Sequence, residues 1–283
     1  MEESRIDKIV RRVDDLPPLP TTFMKIVELS RKPNASMKDL VDVISMDQAM
    51  VMRILRVCNS PFYGLRSEIT SVAHGASYLG FSAIQGIAAA QATSGILNKK
   101  VDGYQLDGGE LYKHSVATAL GARIIAEKRY RALKDTAFTG GLLHDVGKLI
   151  LAQFVSEEFE KIIEAVEKEQ ISFNEAEQKV LGFDHTELGE KIAAKWKLAD
   201  NLRIAIRYHH NPSLCKNDGQ IAHIVHVADA ISMMLGIGAG TDGLNYVFHK
   251  ESLDVCGLDE KGMEEVTEKL ISELEDALRS FSS

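Results

Sequence analysis

Apolar residues recur at helical spacing through almost the whole chain, and no strand-like alternation of useful length interrupts them. That pattern restricts the fold to packed helices. Phe23, Ile26, Val27 and Leu29 mark the buried side of a helix over 22–31. Met50, Val51, Ile54, Leu55 and Cys58 do the same over 47–58. Further helices are predicted over 5–13, 37–44, 70–79 and 81–97. After residue 108 the pattern predicts helices over 109–128, 134–153, 156–169, 173–180, 185–195, 199–209, 218–235 and 259–281. In the last of these, Met263, Val266, Leu270, Ile271, Leu274 and Leu278 form one apolar stripe, which predicts packing back on the body.

Local signals punctuate the helices. The segment Leu16-Pro17-Pro18-Leu19-Pro20 ends the first one, because proline cannot continue a helix. Pro33 stops the second and Asn59-Ser60-Pro61 the fourth. Ser36 and Asp47 stand where N-caps are needed, with Asp39 three residues after Ser36. Asp184 and Glu187 read as a capping box around His185. Residues 98–109 carry Gly103, Gly108, Gly109 and four charges, and form the best candidate boundary.

Composition excludes several classes. Apolar residues make up 45% of the 283 residues, with only six prolines, which leans helical and globular. The formal net charge of −8 disfavours broad electrostatic binding of nucleic acid. Cys58, Cys215 and Cys256 lie far apart, so neither a disulfide framework nor a zinc knuckle is expected, and a reducing cytoplasm is the natural compartment. The opening MEESRIDKIVRRVDD lacks the apolar core of a signal peptide. IVHVADAISMMLGIGAG, interrupted by a His and an Asp, reads as a buried helix and turn rather than a membrane span.

The chemistry concentrates on histidine. Eight of nine histidines lie between 114 and 249. Glu110 and His114, four apart, share one helix face. His144-Asp145 sits in the otherwise apolar GGLLHDVGKLIL, where burying an imidazole and a carboxylate costs free energy unless something compensates. A divalent cation would compensate. A simple ion pair is the alternative. His209-His210 and Asp229 repeat the situation in AIRYHH and HVADAIS. One such histidine is commonly a core residue, but a recurring set points to a site. For His185, in a first helical turn, a solvated position would also be unremarkable. His223 and His226 are expected to pack or to support ligands rather than bind metal.

The order His114, His144-Asp145, Asp229 resembles the HD superfamily of metal-dependent phosphohydrolases, in which a helical domain binds a divalent metal through H…HD…D. Glu110, Lys148, His185 and His209-His210 stand where HD-GYP cyclic-dinucleotide phosphodiesterases carry extra ligands and a phosphate-contacting lysine. The resemblance implies one metal on His114, His144, Asp145 and Asp229. It implies a second on Asp145, His185, His209 and His210, with Glu110 additional or outer. The GYP signature is missing after His210, which removes the main reason to propose cyclic di-GMP.

The N-terminal half narrows the branch. LPPLP, NSPFYG, SVAHGASYLGFSAIQGI and DHTELGEKIAAKW resemble HDOD domains, the HD-related output domains of bacterial signalling proteins, over roughly 14–235. Met46-Asp47-Gln48-Ala49 departs from the Asp-Pro common there. The resemblance implies an all-α fold, with an N-terminal helical bundle (14–98) packed on an HD-type metal-binding part (105–240), and a C-terminal extension (241–283). It implies a signal-transduction protein that acts through a protein partner or a small phosphorylated ligand, in the cytoplasm and without a membrane. The other reading is a metal-dependent phosphohydrolase or nucleotide phosphodiesterase. Asp145 and Lys148 would then be catalytic, though Lys148 could equally be only the partner of Asp145. Mixed His and carboxylate ligands suit Fe or Mn first, then Ni, Co or Zn, as one or two ions.

Overall fold

A computed structural model of the chain describes residues 4–12, 20–30, 32, 34–60, 63, 68–97, 100–216, 219–243 and 245–282. Among the described residues the structure is all-α: sixteen α-helices, a few 3-10 turns and one isolated β-bridge, Val101 with Leu106. Residues Leu16–Leu19, Pro33 and Pro61, singled out above as helix stops, and Phe62 and Gly64 of the NSPFYG stretch lie outside the described residues.

The N-terminal helices are α1 (Arg5–Arg12), α2 (Thr21–Ser30), α3 (Met37–Ser45), α4 (Gln48–Cys58), α5 (Val72–Leu79) and α6 (Phe81–Leu97). Their starts obey capping chemistry. The Ser36 hydroxyl accepts from Asp39 N at 3.2 Å while Ser36 N donates to the Asp39 carboxylate at 2.9 Å. Asp47 accepts from Met50 N at 3.0 Å and caps α4. Its other oxygen accepts from the Thr22 hydroxyl at 2.7 Å, tying α4 to α2. Asn59 clamps the chain after α4, exchanging bonds with the Ile69 carbonyl at 2.8 Å and the Ile69 N–H at 2.7 Å.

The second half comprises α7 (Glu110–Arg129), α8 (Lys134–Leu143), α9 (Val146–Phe154), α10 (Phe159–Glu169), α11 (Phe173–Leu181), α12 (His185–Lys195), α13 (Asp200–Tyr208), α14 (Gln220–Met234), α15 (Glu251–Cys256) and α16 (Glu260–Ser282). Helix α7 is the axis. From Leu111 to Ala126 every residue but Lys113 is buried, because α8, α14 and α16 pack around it. Helix α6 lies on α8 and α2, and α16 reaches α4 and α6. One cluster of buried apolar side chains therefore runs from Ile6 to Ala277.

Four differences from the sequence reading have physical causes. The expected helix over 134–153 is two, broken at His144-Asp145, where Asp145 leaves helical geometry at φ −99° and ψ 13°. The candidate boundary at 98–109 is partly built into the core, with Val101, Tyr104 and Leu106 buried. Ile271, assigned to the buried stripe of α16, is 55% exposed, while Ala277 is buried in that stripe. Helix α15 was missed because six residues are too short to show a period.

Candidate metal centre

Six helices, α7, α8, α9, α12, α13 and α14, deliver the ligand-type side chains to one buried point. His114 comes from the second turn of α7, His144 and Asp145 from the α8–α9 break, and His185 from the first turn of α12. His209 and His210 follow α13, and Asp229 stands in α14. Two glycines allow the helices to approach this closely. A Cβ on Gly141 would lie 2.8 Å from the Ala119 Cα of α7, and one on Gly147 would lie 1.9 Å from the His185 carbonyl oxygen.

The side chains fall into two groups, each with its ligand atoms within 4.8 Å of one another. The first is His114, His144 and Asp229. His114 Nε2 lies 3.0 Å from Asp229 Oδ1 and 3.8 Å from Asp145 Oδ2, and His144 Nε2 lies 3.3 Å from Asp145 Oδ2. The second is Asp145, His185, His209 and His210. Asp145 Oδ1 lies 3.5 Å from His185 Nε2 and 3.6 Å from His209 Nε2, and the Nε2 atoms of His185 and His210 are 3.2 Å apart. Asp145 thus faces both groups, one oxygen to each.

The outer nitrogens set the ring orientations. His114 Nδ1 meets the Ile237 carbonyl at 3.0 Å, His144 Nδ1 the Gly141 carbonyl at 2.6 Å, and His209 Nδ1 the Ile206 carbonyl at 2.9 Å. A backbone carbonyl only accepts, so each of these nitrogens carries the proton and each Nε2 presents a lone pair inward. His185 differs: its Nδ1 meets the Glu177 carboxylate at 2.6 Å.

Burial and charge are informative. Asp145, Asp229 and Glu177 are buried against one buried ammonium, Lys148, whose Nζ donates to Asp145 Oδ2 at 2.5 Å. Burial alone would raise the Asp145 pKa, but His144 and Lys148 beside it hold it well below the carboxylate range. Asp229 is likewise held well below, burial being overcome by the His114 and His144 imidazoles beside it. Burial works against protonation of His114 and His185, but Asp229 and Glu177 respectively overcome it and raise both. Burial lowers His209, and it lowers His210 far, helped by neighbouring imidazoles. Four buried atoms of the centre have no hydrogen-bond partner: Nε2 of His114, His144 and His209, and Oδ1 of Asp145. Lone pairs that converge unsatisfied in a buried site fit a cation, since bonds of about 2.1 Å to one ion bring its ligands roughly 3–4 Å apart.

Not every predicted residue joins. Glu110 opens α7, half-buried, outside both groups. His185, for which a solvated position was unremarkable, is buried. Asp184 caps α12 by accepting from Glu187 N at 2.8 Å. His223 meets the Ser252 hydroxyl at 2.9 Å, outside both groups. His226 also stays outside: its Nδ1 meets the His209 carbonyl at 2.7 Å and its Nε2 accepts from His249 N at 3.0 Å. Three residues went unnoticed. Tyr246 donates to Asp229 Oδ2 at 2.8 Å, Glu177 holds His185, and Tyr104 donates to Glu177 Oε1. Only Glu177 left a trace, as an acid among Phe173, Ala176 and Leu181 on one face of α11. An opening of about 230 Å³ leads to His185 and His210, bordered by Ser172, Phe173, Asn211, Tyr246 and His249.

The chain belongs to the HDOD domain family, whose model matches residues 16–212. A protein of Treponema pallidum (strain Nichols) of uncharacterized function is 24% identical over 72% of this chain, and the chain spans 39% of that relative's length. Among solved structures, an HDOD domain protein of unknown function from Geobacter sulfurreducens superposes with TM-score 0.74 at 24% identity, over 99% of this chain and 97% of that one. A candidate signal transduction protein from Marinobacter aquaeolei VT8 gives 0.74 at 26% identity, over 100% of this chain and 62% of that one. A candidate metal-dependent phosphohydrolase from Shewanella amazonensis SB2B gives 0.63 at 17% identity, over 98% and 97%. Among the described residues no helix is long and apolar enough to cross a membrane.

Proposed function

We propose that this chain is a signal-transduction protein whose buried His/Asp centre holds one or two divalent metal ions. His114, His144, Asp145 and Asp229 would hold one ion, and Asp145, His185, His209 and His210 the other. The observation that carries the reading is the convergence of three unpartnered imidazole nitrogens and one unpartnered carboxylate oxygen in a buried site. Three buried carboxylates against one buried ammonium support it too, because a cation offsets the excess charge. The donor set is nitrogen and oxygen without sulfur, which suits iron or manganese first, then nickel, cobalt or zinc. The cytoplasm fits this chemistry, and output passes to a protein partner or follows a small phosphorylated ligand.

A second reading is phosphoester hydrolysis, favoured by the opening beside His185 and His210, through which a substrate reaches the centre. A bound ion pair would supply Lewis acidity and an acidified water. In that reading Asp145 orients the centre and joins its two groups, and Tyr246 holds Asp229 in place. Lys148 binds phosphate only by exchanging its contact with Asp145.

The test is elemental analysis of purified full-length protein, beside His144→Ala and Asp145→Ala. About one or two ions per chain are expected in the parent, with at least a tenfold loss of affinity in each variant. A parent that holds no stoichiometric metal after loading with iron or manganese would refute the metal reading. Turnover of phosphomonoesters or nucleotides by loaded protein would then select the second reading over the first.

A further inference from the structure

The histidines of the centre are not oriented alike. His114, His144 and His209 each direct Nδ1 at a backbone carbonyl of ordinary helix or loop structure. His185 alone directs Nδ1 at a carboxylate, Glu177 Oε2, at 2.6 Å. The same oxygen accepts the His185 backbone N–H at 2.9 Å, so one atom grips both ends of the residue. The other oxygen accepts the Tyr104 hydroxyl. Glu177 is fully buried, 0% exposed, and so is Tyr104. A carboxylate buried this deeply is costly unless its oxygens are satisfied and its charge has a counterpart. The three bonds satisfy the oxygens. An ion held at the His185 Nε2, which faces Asp145, His209 and His210, would be that counterpart.

We propose that Glu177 is a positioning residue for the second group of ligands: it holds His185 with the proton on Nδ1 and the bare Nε2 facing Asp145, with Tyr104 locking the carboxylate from behind. Tyr104 arrives from the 3-10 turn at 102–104, where Phe159 and Phe173 pack edge-on or tilted against its ring at 5.0 and 5.2 Å. That packing holds the ring whose hydroxyl bonds Glu177. A carboxylate partner also makes an imidazole a stronger donor than a carbonyl partner does. Glu177 therefore sets the second group apart from the first, whose histidines rest on neutral carbonyls.

The ion-holding part of this inference rests on the metal reading above, and the experiment separates the two. In metal-free full-length protein, ¹⁵N-histidine spectra report which nitrogen of His185 is protonated. The signal is assigned against His185→Gln. Parent protein is expected to show His185 protonated on Nδ1, and Glu177→Leu to lose that preference. Glu177→Gln keeps one acceptor but no charge, and its Nδ1 proton is expected to move upfield. Mn²⁺ titration of parent and Glu177→Gln is the second arm. One class of site should weaken about 10- to 100-fold while the other stays within about twofold. His185 unchanged in Glu177→Leu would overturn the proposal, as would Mn²⁺ affinities that are all unchanged or all equally weakened. If Glu177→Leu does not fold, Glu177→Gln decides through the same proton shift and titration. If the parent binds neither Mn²⁺ nor Fe²⁺, the metal reading fails and the tautomer spectra alone decide the role of Glu177.

Discussion

At the scale of single residues, Asp145 bears the most. One oxygen meets Lys148, His144 and His114, the other His185 and His209. Removing it takes the carboxylate away from the Lys148 ammonium, which is 3% exposed. In metal-free protein Asp145→Ala should cost about 3–5 kcal/mol in urea unfolding, and Asp145→Ala/Lys148→Met should recover much of that. A double variant no more stable than the single one would show that the buried charge is not the cause. His226 predicts a pH dependence. Burial depresses its pKa from 6.5 to about 4, so the unfolded chain takes the proton first. Its contribution is whole above pH 6.5 and is lost as the pH falls toward about 4. That loss is on the order of 3 kcal/mol, at about 1.4 kcal/mol per pH unit. The urea midpoint of metal-free protein should fall across that window, and a flat profile would contradict the buried neutral imidazole.

At the scale of elements, the α8–α9 break and the contact of α9 with α12 position the centre. The break turns His144 and Asp145 toward α7 and α14, where a continuous helix would place them on its own regular faces. Gly147 lets α9 sit against the start of α12, with no room for a Cβ beside the His185 carbonyl. Backbone cannot yield as a flexible side chain can, so Gly147→Ala should cost about 3 kcal/mol or more by thermal or urea unfolding. It should also displace His185, lowering metal affinity beyond the effect on stability. Equal stability of Gly147→Ala and parent would mean that α9 and α12 do not pack this closely in solution. Caps behaved more locally. Ser36, Asp47 and Asp184 were legible because a cap is set by residues within one turn.

At the scale of the whole molecule, α16 closes the core. Val266, Leu270, Leu274 and Ala277 are buried where α16 packs on α7, α4 and α6. Uncovering three such aliphatic side chains costs about 5–9 kcal/mol, comparable with the entire stability of an ordinary domain. Deleting residues 260–282 should therefore abolish cooperative unfolding and leave an aggregating chain. A deletion protein with a sharp thermal transition near that of the parent would show that the first fifteen helices form a self-sufficient core.

The sequence by itself determined the helical fold class, most helix positions and the family, because each rests on short-range period, capping residues or ordered motifs. It also marked His114, His144, Asp145, His185, His209, His210 and Asp229 as a set, since ligand-type residues stand out inside apolar helices. What only the tertiary structure decided is how they are grouped: which oxygen of Asp145 faces which histidines, and that Glu110 stays outside. The same holds for Glu177, Tyr104 and Tyr246, which act from segments 8 to 73 residues away from the groups they touch. Tyr104 and Tyr246, partners across helix interfaces, leave no periodic trace in the chain. Their roles are fixed by the angle and spacing at which two helices meet, and here glycines and a helix break set both.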